Sequence, residues 1–321
     1  MPSSMEALII NAAITGMVPM PADNPSVPVT VRQIVAEARR CADAGASILH
    51  VHARGEDGTP TWRPEIYQEI IEGIRSNSPG LLISGTTSGR LWSGFEKRSA
   101  MLDCQPDLAS LTPGSLNFPA AASMNPPQIV CQLATAMKER GVVPELEFFE
   151  IGMIDYARDY MIPRGFLQAP FYANLLLGSL GTLAASARNL VHMVDALPTG
   201  TVWSAAGIGR FQLPINSLGI AMGGHVRVGL EDNLWMDMEK TDPASNVRLI
   251  ERVVRVAEAM GRSIATPADT RHILGMRKNG RIQAEDKSIR PNQKTEPPGR
   301  HKRFNRAVKL TQEGPSTNIF E

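Results

Sequence analysis

Cysteine is scarce in this chain. Cys41, Cys104 and Cys131 are the only three in 321 residues, and no two of them are closely spaced. That argues against a disulfide framework or a zinc ribbon and suits a reducing, cytoplasmic setting. Net charge is nearly absent as well: 33 Lys and Arg against 32 Asp and Glu leave a formal +1. No global field therefore gathers nucleic acid, membrane or acidic partners, and any such contact would need a local patch. No apolar run approaches the ~18 residues of a membrane span. The start, MPSSMEALIINAAIT, lacks the basic region and long apolar core of a signal peptide and reads as a first strand. There is no internal repeat. No GxGxxG follows that first strand, which removes the signature of a dinucleotide-binding open sheet.

What is present is an ordinary soluble composition, 43% hydrophobic and 20% charged. Short apolar runs alternate with amphipathic segments. The runs are Ala7–Ile14, Ser47–His52, Leu81–Thr86, Asp107–Leu111, Glu145–Phe149, Phe171–Leu177, Thr201–Ala206 and His225–Leu230. Between them, Thr30 is a good N-cap for a helix with an apolar stripe through Val31, Ile34, Val35, Ala38, Cys41 and Ala42, stopped at Gly45. Asn246–Met260 repeats the pattern before Gly261, and Pro64 and Pro126–Pro127 suit first helical turns. Strict alternation of strand and helix predicts a parallel sheet, and eight units favour closure into a (β/α)8 TIM barrel over residues 1–275. An open doubly wound sheet is the competing arrangement.

Composition changes after Leu274. Residues 276–321 carry eleven Lys and Arg against five Asp and Glu, with several prolines and little apolar periodicity. This C-terminal extension reads as a solvated tail or an arm laid across a neighbouring subunit. An electrostatic site for CoA phosphates or nucleic acid is the sharper alternative, but only Phe304 and Phe320 offer stacking surface, which disfavours nucleic acid.

The strongest chemical signal is His50-Val51-His52 at the end of the second run. Residues i and i+2 share one face of a strand, so both imidazoles emerge together at the active-site mouth of a barrel. Such a pair suits zinc or another divalent first-row metal, and it suits two hydrogen-bonded histidines of a polar pocket equally well. In the last strand and its exit, GGHVRVGLEDN (223–233), parity puts His225, Arg227, Gly229 and Glu231 on one face. Glu231 would complete a two-histidine, one-carboxylate set, and Arg227 could hold an acidic neighbour or a substrate carboxylate bidentately. A purely structural Arg–Asp pair remains open. Small polar residues end three further strands, at 84–89, 110–115 and 144–147, and suit anion binding or simple turns.

These stretches resemble the β-keto acid cleavage enzyme family. The likeness runs through AAITG (12–16), NPSVPVT (24–30), AGASILHVHARGEDGTP (44–60), SLTPGSLNF (110–118), PELEFFEIGMID (144–155), AAGIGR (205–210), GGHVRVGLEDN (223–233) and IATPADTR (264–271). It covers about residues 6–275. It implies a (β/α)8 barrel, a homotetramer, and zinc on His50, His52 and Glu231. It also implies condensation of a β-keto acid with acetyl-CoA, giving acetoacetate and a new acyl-CoA. The keto acid would be held at Thr86, Gly89 and Ser110. Arg227 and Asp232 match the proton-abstracting dyad, and Glu147 matches a further active-site acid.

One departure bears on substrate choice. Members that cleave an amino-substituted keto acid carry a glutamate shortly after the ITG motif, where this chain has Val18, within Met17-Val18-Pro19-Met20-Pro21. A substrate without an amino group is therefore expected, with an alkyl or hydroxyalkyl chain, or a second carboxylate if Arg90 points inward. A metal-dependent hydrolase or lyase of another class is the alternative. The amidohydrolase pattern places HxH after the first strand and needs further histidines on middle strands, which this chain does not offer.

Overall fold

The computed structural model describes residues 6–276. Eight parallel strands close into a barrel: β1 Ile10–Ala13, β2 Ile48–Val51, β3 Leu82–Gly85, β4 Leu108–Leu111, β5 Val143–Phe148, β6 Phe171–Leu177, β7 Thr201–Gly207 and β8 His225–Val228. Each pairs with its sequence neighbours, and β1 closes on β8 through Asn11 opposite Arg227. The alternation of the sequence is thus a (β/α)8 barrel and not an open sheet. The ends differ from the apolar runs by a few residues. Leu8, for example, bridges Ile264 instead of extending β1.

Helices α1 Val31–Asp43, α2 Pro64–Asn77, α3 Phe95–Ser99, α4 Pro127–Arg140, α5 Ile151–Tyr156, α6 Ala187–Ala196, α7 Gln212–Ala221 and α8 Asn246–Ala259 follow the eight strands in turn. Their starts obey local chemistry. Thr30 caps α1 in a full capping box with Gln33, and prolines open α2 and α4. Gly141 ends α4 with φ +70°.

Strand periodicity sorts the core into two. Outward side chains such as Leu49, Val51, Ile83, Leu111, Leu175 and Val226 pack beneath the helices, against Ile34, Ile70, Leu133 and Leu249. Each such fully buried aliphatic side chain contributes about 1.5–3 kcal/mol. Inward side chains nearer the strand starts, Ile9, Ile48, Leu82, Leu108, Val143 and Tyr172, fill the barrel's lower interior.

A last helix, α9 Pro267–Ile273, closes that N-terminal mouth. Leu274 and Met276 join the lower cluster, while Thr270 bonds Ser47 (2.7 Å) and Arg271 pairs with Asp107 (2.9 Å). The barrel's packing therefore reaches Met276, one residue into the segment that composition assigns to the extension. The remainder of that extension, 277–321, lies outside the described residues.

Candidate active site

Above the apolar plug the inward positions turn polar. Asn11, His50, Ser84, Glu145, Asn174, Ser204 and Arg227 are all buried and belong to strands of the closed barrel. Burying so many polar groups is tolerable only when they satisfy one another. Glu145 is the hub: it accepts from Asn11 Nδ2 (2.6 Å), from Asn174 and from Ser84, and meets His50 Nδ1 at 3.0 Å. That contact orients the imidazole and leaves His50 Nε2 facing the mouth.

His50 Nε2 lies 3.2 Å from His52 Nε2, and His52 Nε2 lies 3.2 Å from Glu231 Oε1. Glu231 Oε2 stands 3.7 Å from His50 Nε2 and is buried without a hydrogen-bond partner. Ligands about 2.0–2.1 Å from a tetrahedral ion stand roughly 3.3 Å from one another, so the spacing fits a metal. Among the described residues this is the one group of three such side chains close enough to share an ion. Charge agrees, because Glu145, Glu147, Glu231 and Asp232 converge on the single fixed cation Arg227. A divalent cation would offset that excess.

Arg227 is 1% exposed, and a guanidinium so placed requires partners. It has three close ones: Asp232 Oδ2 on Nε (2.9 Å), Glu147 Oε1 on Nη1 (2.9 Å) and Glu231 Oε1 on Nη2 (3.0 Å). Burial pushes the Asp232 carboxyl above its usual range, against the pull of Arg227 and with a further push from Glu231. Burial raises Glu147 in the same way. Glu145 goes the other way: burial opposes ionisation, yet His50, Arg227 and Ser84 bring it to about 2. For His50 burial opposes the imidazolium, but Glu145 and Glu231 outweigh it and raise the group to about 9. For His52 burial wins and the group lies below its usual value.

A cavity of about 750 Å³ opens over these groups, with His50, His52, Glu147, Arg227, Glu231 and Asp232 at its floor. Thr86 lines it. Ser110 and Gly89 do not. Ser110 Oγ accepts from the Thr87 amide (3.1 Å), and a Cβ on Gly89 would stand 2.2 Å from the Met124 carbonyl. Both brace the β3 exit loop, as does buried Arg98, which donates to Thr87 O (2.7 Å) and Met124 O (2.9 Å). Val18 lines the cavity beside Met17 and Pro19 and is 63% exposed.

A family model described as beta-keto acid cleavage enzyme matches residues 7–276. The chain belongs to the β-keto acid cleavage enzyme family. It is 42% identical over 275 residues to the 3-keto-5-aminohexanoate cleavage enzyme of Fusobacterium nucleatum subsp. nucleatum, a match covering 85% of this chain and 100% of that protein. It is 38% identical over 271 residues to the 3-oxoadipate:acetyl-CoA acetyltransferase of Cupriavidus necator, covering 84% and 94%. In fold it is similar to the apo structure of ObcA, with a TM-score of 0.71 at 19% identity over 78% of this chain and 66% of that one. This member of the family is thus an acyl-transferring enzyme that cleaves a carbon–carbon bond.

Sequence reasoning passed over two residues that brace this family member's site. Glu145 was within reach, since Glu145 and Glu147 share a strand face in Pro144-Glu145-Leu146-Glu147. Arg54 gave no signal. It is buried and donates to Gly16 O (2.7 Å), Pro19 O (2.9 Å) and Gly58 O (3.0 Å), which fixes the loop that carries Val18.

Proposed function

We propose that this enzyme condenses a β-keto acid with acetyl-CoA and releases acetoacetate and a new acyl-CoA. The observation that carries the reading is the meeting of two unlike devices at one cavity floor, the His50–His52–Glu231 triad and the Arg227–Asp232 pair. The triad would hold a divalent metal, and its nitrogen and oxygen donors suit zinc. When bound, such an ion acts as a Lewis acid toward keto and carboxylate oxygens, which acidifies the substrate's C2 hydrogen.

In this reading Asp232 takes that C2 proton and Arg227 orients the carboxylate; the Arg227 contact and the raised basicity of the carboxyl support a general base. Glu147, held by Arg227 and by Thr112 (3.1 Å), is a second acid at the same place, and Thr86 contributes a hydroxyl to the wall. Gly89 and Ser110 act on the keto acid through the shape of the β3 exit loop. Carbon C2 then attacks the acetyl carbon, and the CoA thiolate leaves. The thiolate adds to the substrate's own keto carbon C3. The C2–C3 bond breaks, C2 regains a proton, and acetoacetate departs with C1, C2 and the acetyl group. The remaining chain leaves as its CoA thioester.

The substrate in this reading lacks an amino group; supporting it, Met17, Val18 and Pro19 of the cavity wall supply no carboxylate for an ammonium. A homotetramer is part of this reading on the family resemblance, and a cytoplasmic setting on three cysteines that are all unpaired. No helix among the described residues is long and apolar enough to cross a membrane. The test is a panel of β-keto acids offered with acetyl-CoA and scored by the acyl-CoA formed. Formation of acetoacetate with matching acyl-CoA supports the reading. Hydrolysis without acyl-CoA would favour the metal-dependent hydrolase.

A further inference from the structure

Among the described residues the cavity holds one half-buried cation that the catalytic groups leave free. Arg90, on the β3 exit loop, is half-buried and lines the wall, with its guanidinium 3.8 Å over the Phe118 ring. Only its backbone amide is engaged, with Ser88 Oγ (3.3 Å). Among the described residues the guanidinium makes neither a hydrogen bond nor a salt bridge. The carboxylates sharing the cavity are taken. Glu147, Glu231 and Asp232 are held by Arg227, and Asp237 accepts from Thr241 and Asp242.

The other cavity cations differ in kind: Arg210 and Lys240 are exposed at the rim. Arg90 is partly desolvated, and burial lowers its proton affinity. A cation taken partly out of water without a partner is costly, and an arriving anion removes that cost. Phe118 covers one face of the guanidinium by a cation–π contact and leaves the edge N–H groups for a planar, bidentate acceptor. The loop is not free to carry Arg90 away, since Arg98 ties it to Met124 and Asn125.

We infer that Arg90 is a specificity-determining residue that receives a second carboxylate at the far end of the keto acid, so that the preferred substrate is a dicarboxylic β-keto acid. This rests on the proposed condensation with acetyl-CoA and deepens it. A CoA phosphate is the competing anion. The exposed rim cations suit that strongly hydrated group better than a half-buried guanidinium seated on a phenyl ring does.

The experiment compares kcat/KM for β-ketoadipate and β-ketohexanoate in the full chain and in Arg90→Met and Arg90→Lys, with acetyl-CoA varied. The unaltered enzyme should prefer β-ketoadipate. The ratio of the two values should fall by about 100-fold or more in Arg90→Met and recover only in part in Arg90→Lys, which keeps the charge but not the fork. An unchanged ratio overturns the inference. So does a rise in KM for acetyl-CoA with the ratio preserved, which would assign Arg90 to a phosphate. If the unaltered enzyme turns over neither keto acid, the condensation reading fails, and calorimetric titration with adipate and hexanoate decides Arg90 separately. Preferential adipate binding that disappears in Arg90→Met supports the assignment, and equal binding of the two acids refutes it.

Discussion

Glu231 lies directly against Gly16. A Cβ built on Gly16 would stand 2.6 Å from Glu231 Cγ, and Gly16 has φ +66°, where side chains other than hydrogen are strained. The ITG turn after β1 thus shapes the seat of the one carboxylate in the candidate metal triad. Gly16→Ala should therefore move Glu231 and weaken metal binding by about tenfold or more, at a stability cost of about 1–3 kcal/mol. Competition with a chromogenic chelator measures the first effect and urea denaturation the second. Unaltered metal affinity would show that Glu231 is not a ligand.

His52→Ala should strip most of the metal while leaving the fold intact, because His52 points to the mouth and away from the packed core. Elemental analysis of the purified variant reads this, with circular dichroism as the control on folding. Full occupancy in that variant would remove His52 from the ligand set.

Asp232→Asn should retain metal and keto acid binding but lose turnover by several orders of magnitude, as expected when an interaction needed only in the transition state is removed. Solvent deuterium exchange at C2 of the bound keto acid should vanish with it. Undiminished exchange would move the base to Glu147, which shares Arg227 with Asp232.

Val18→Glu should shift preference toward a 5-amino keto acid, measured as the ratio of kcat/KM for the amino compound and its unsubstituted parent. Val18 lines the cavity on a loop that Arg54 holds in place, so a carboxylate there has an ammonium within its field. An unpaired buried ammonium costs several kcal/mol, roughly, and the new partner offsets it. No shift would mean that this loop does not reach the substrate's side chain.

The barrel floor predicts a pH effect of its own. His225 Nδ1 accepts from the Ile9 amide (3.0 Å) and lies 3.4 Å from Arg262 Nη2, while His225 Nε2 lies 3.8 Å from Glu6 Oε2. Burial, reinforced by Arg262, lowers this imidazole to about 3. Below the unfolded value of about 6.5 the unfolded chain takes up a proton that the folded chain refuses, so this contribution is complete above that pH and is lost as pH falls toward about 3. The slope is about 1.4 kcal/mol per pH unit, so His225→Gln should lose about 2 kcal/mol less stability than the parent between pH 6.5 and 5. Parallel urea titrations at the two pH values measure the difference, and identical losses would refute it.

The barrel was legible because its signals are local. Eight apolar runs at regular intervals, a capping box at Thr30, prolines at helix starts and glycine at Gly45 all follow from backbone propensity and burial periodicity. HxH at 50 and 52 was legible for the same reason, since parity alone puts both imidazoles on one face. Parity equally placed Arg227 and Glu231 together, and a family resemblance supplied the roles.

Which partner each side chain meets depended on closure. Glu145 meets His50 across 95 residues of sequence, and Asn11 meets Glu145 across 134, because a barrel brings distant inward positions into one layer. Closure also set Ser110 of β4 beneath the β3 exit loop, where its hydroxyl meets the Thr87 amide and Thr86 Oγ1 (3.5 Å), while Thr86 itself lines the cavity wall. Whether Arg90 is a solvated loop arginine or a cavity cation could not be read from a charged residue between glycine and leucine. Arg98 and Phe118, contributed by α3 and by the chain beyond β4, decide it. Sequence alone therefore determined the architecture and the residue types at the mouth, which follow from periodic burial. Only tertiary structure decided their pairing and the free cation, because those depend on long-range contacts that no local pattern encodes.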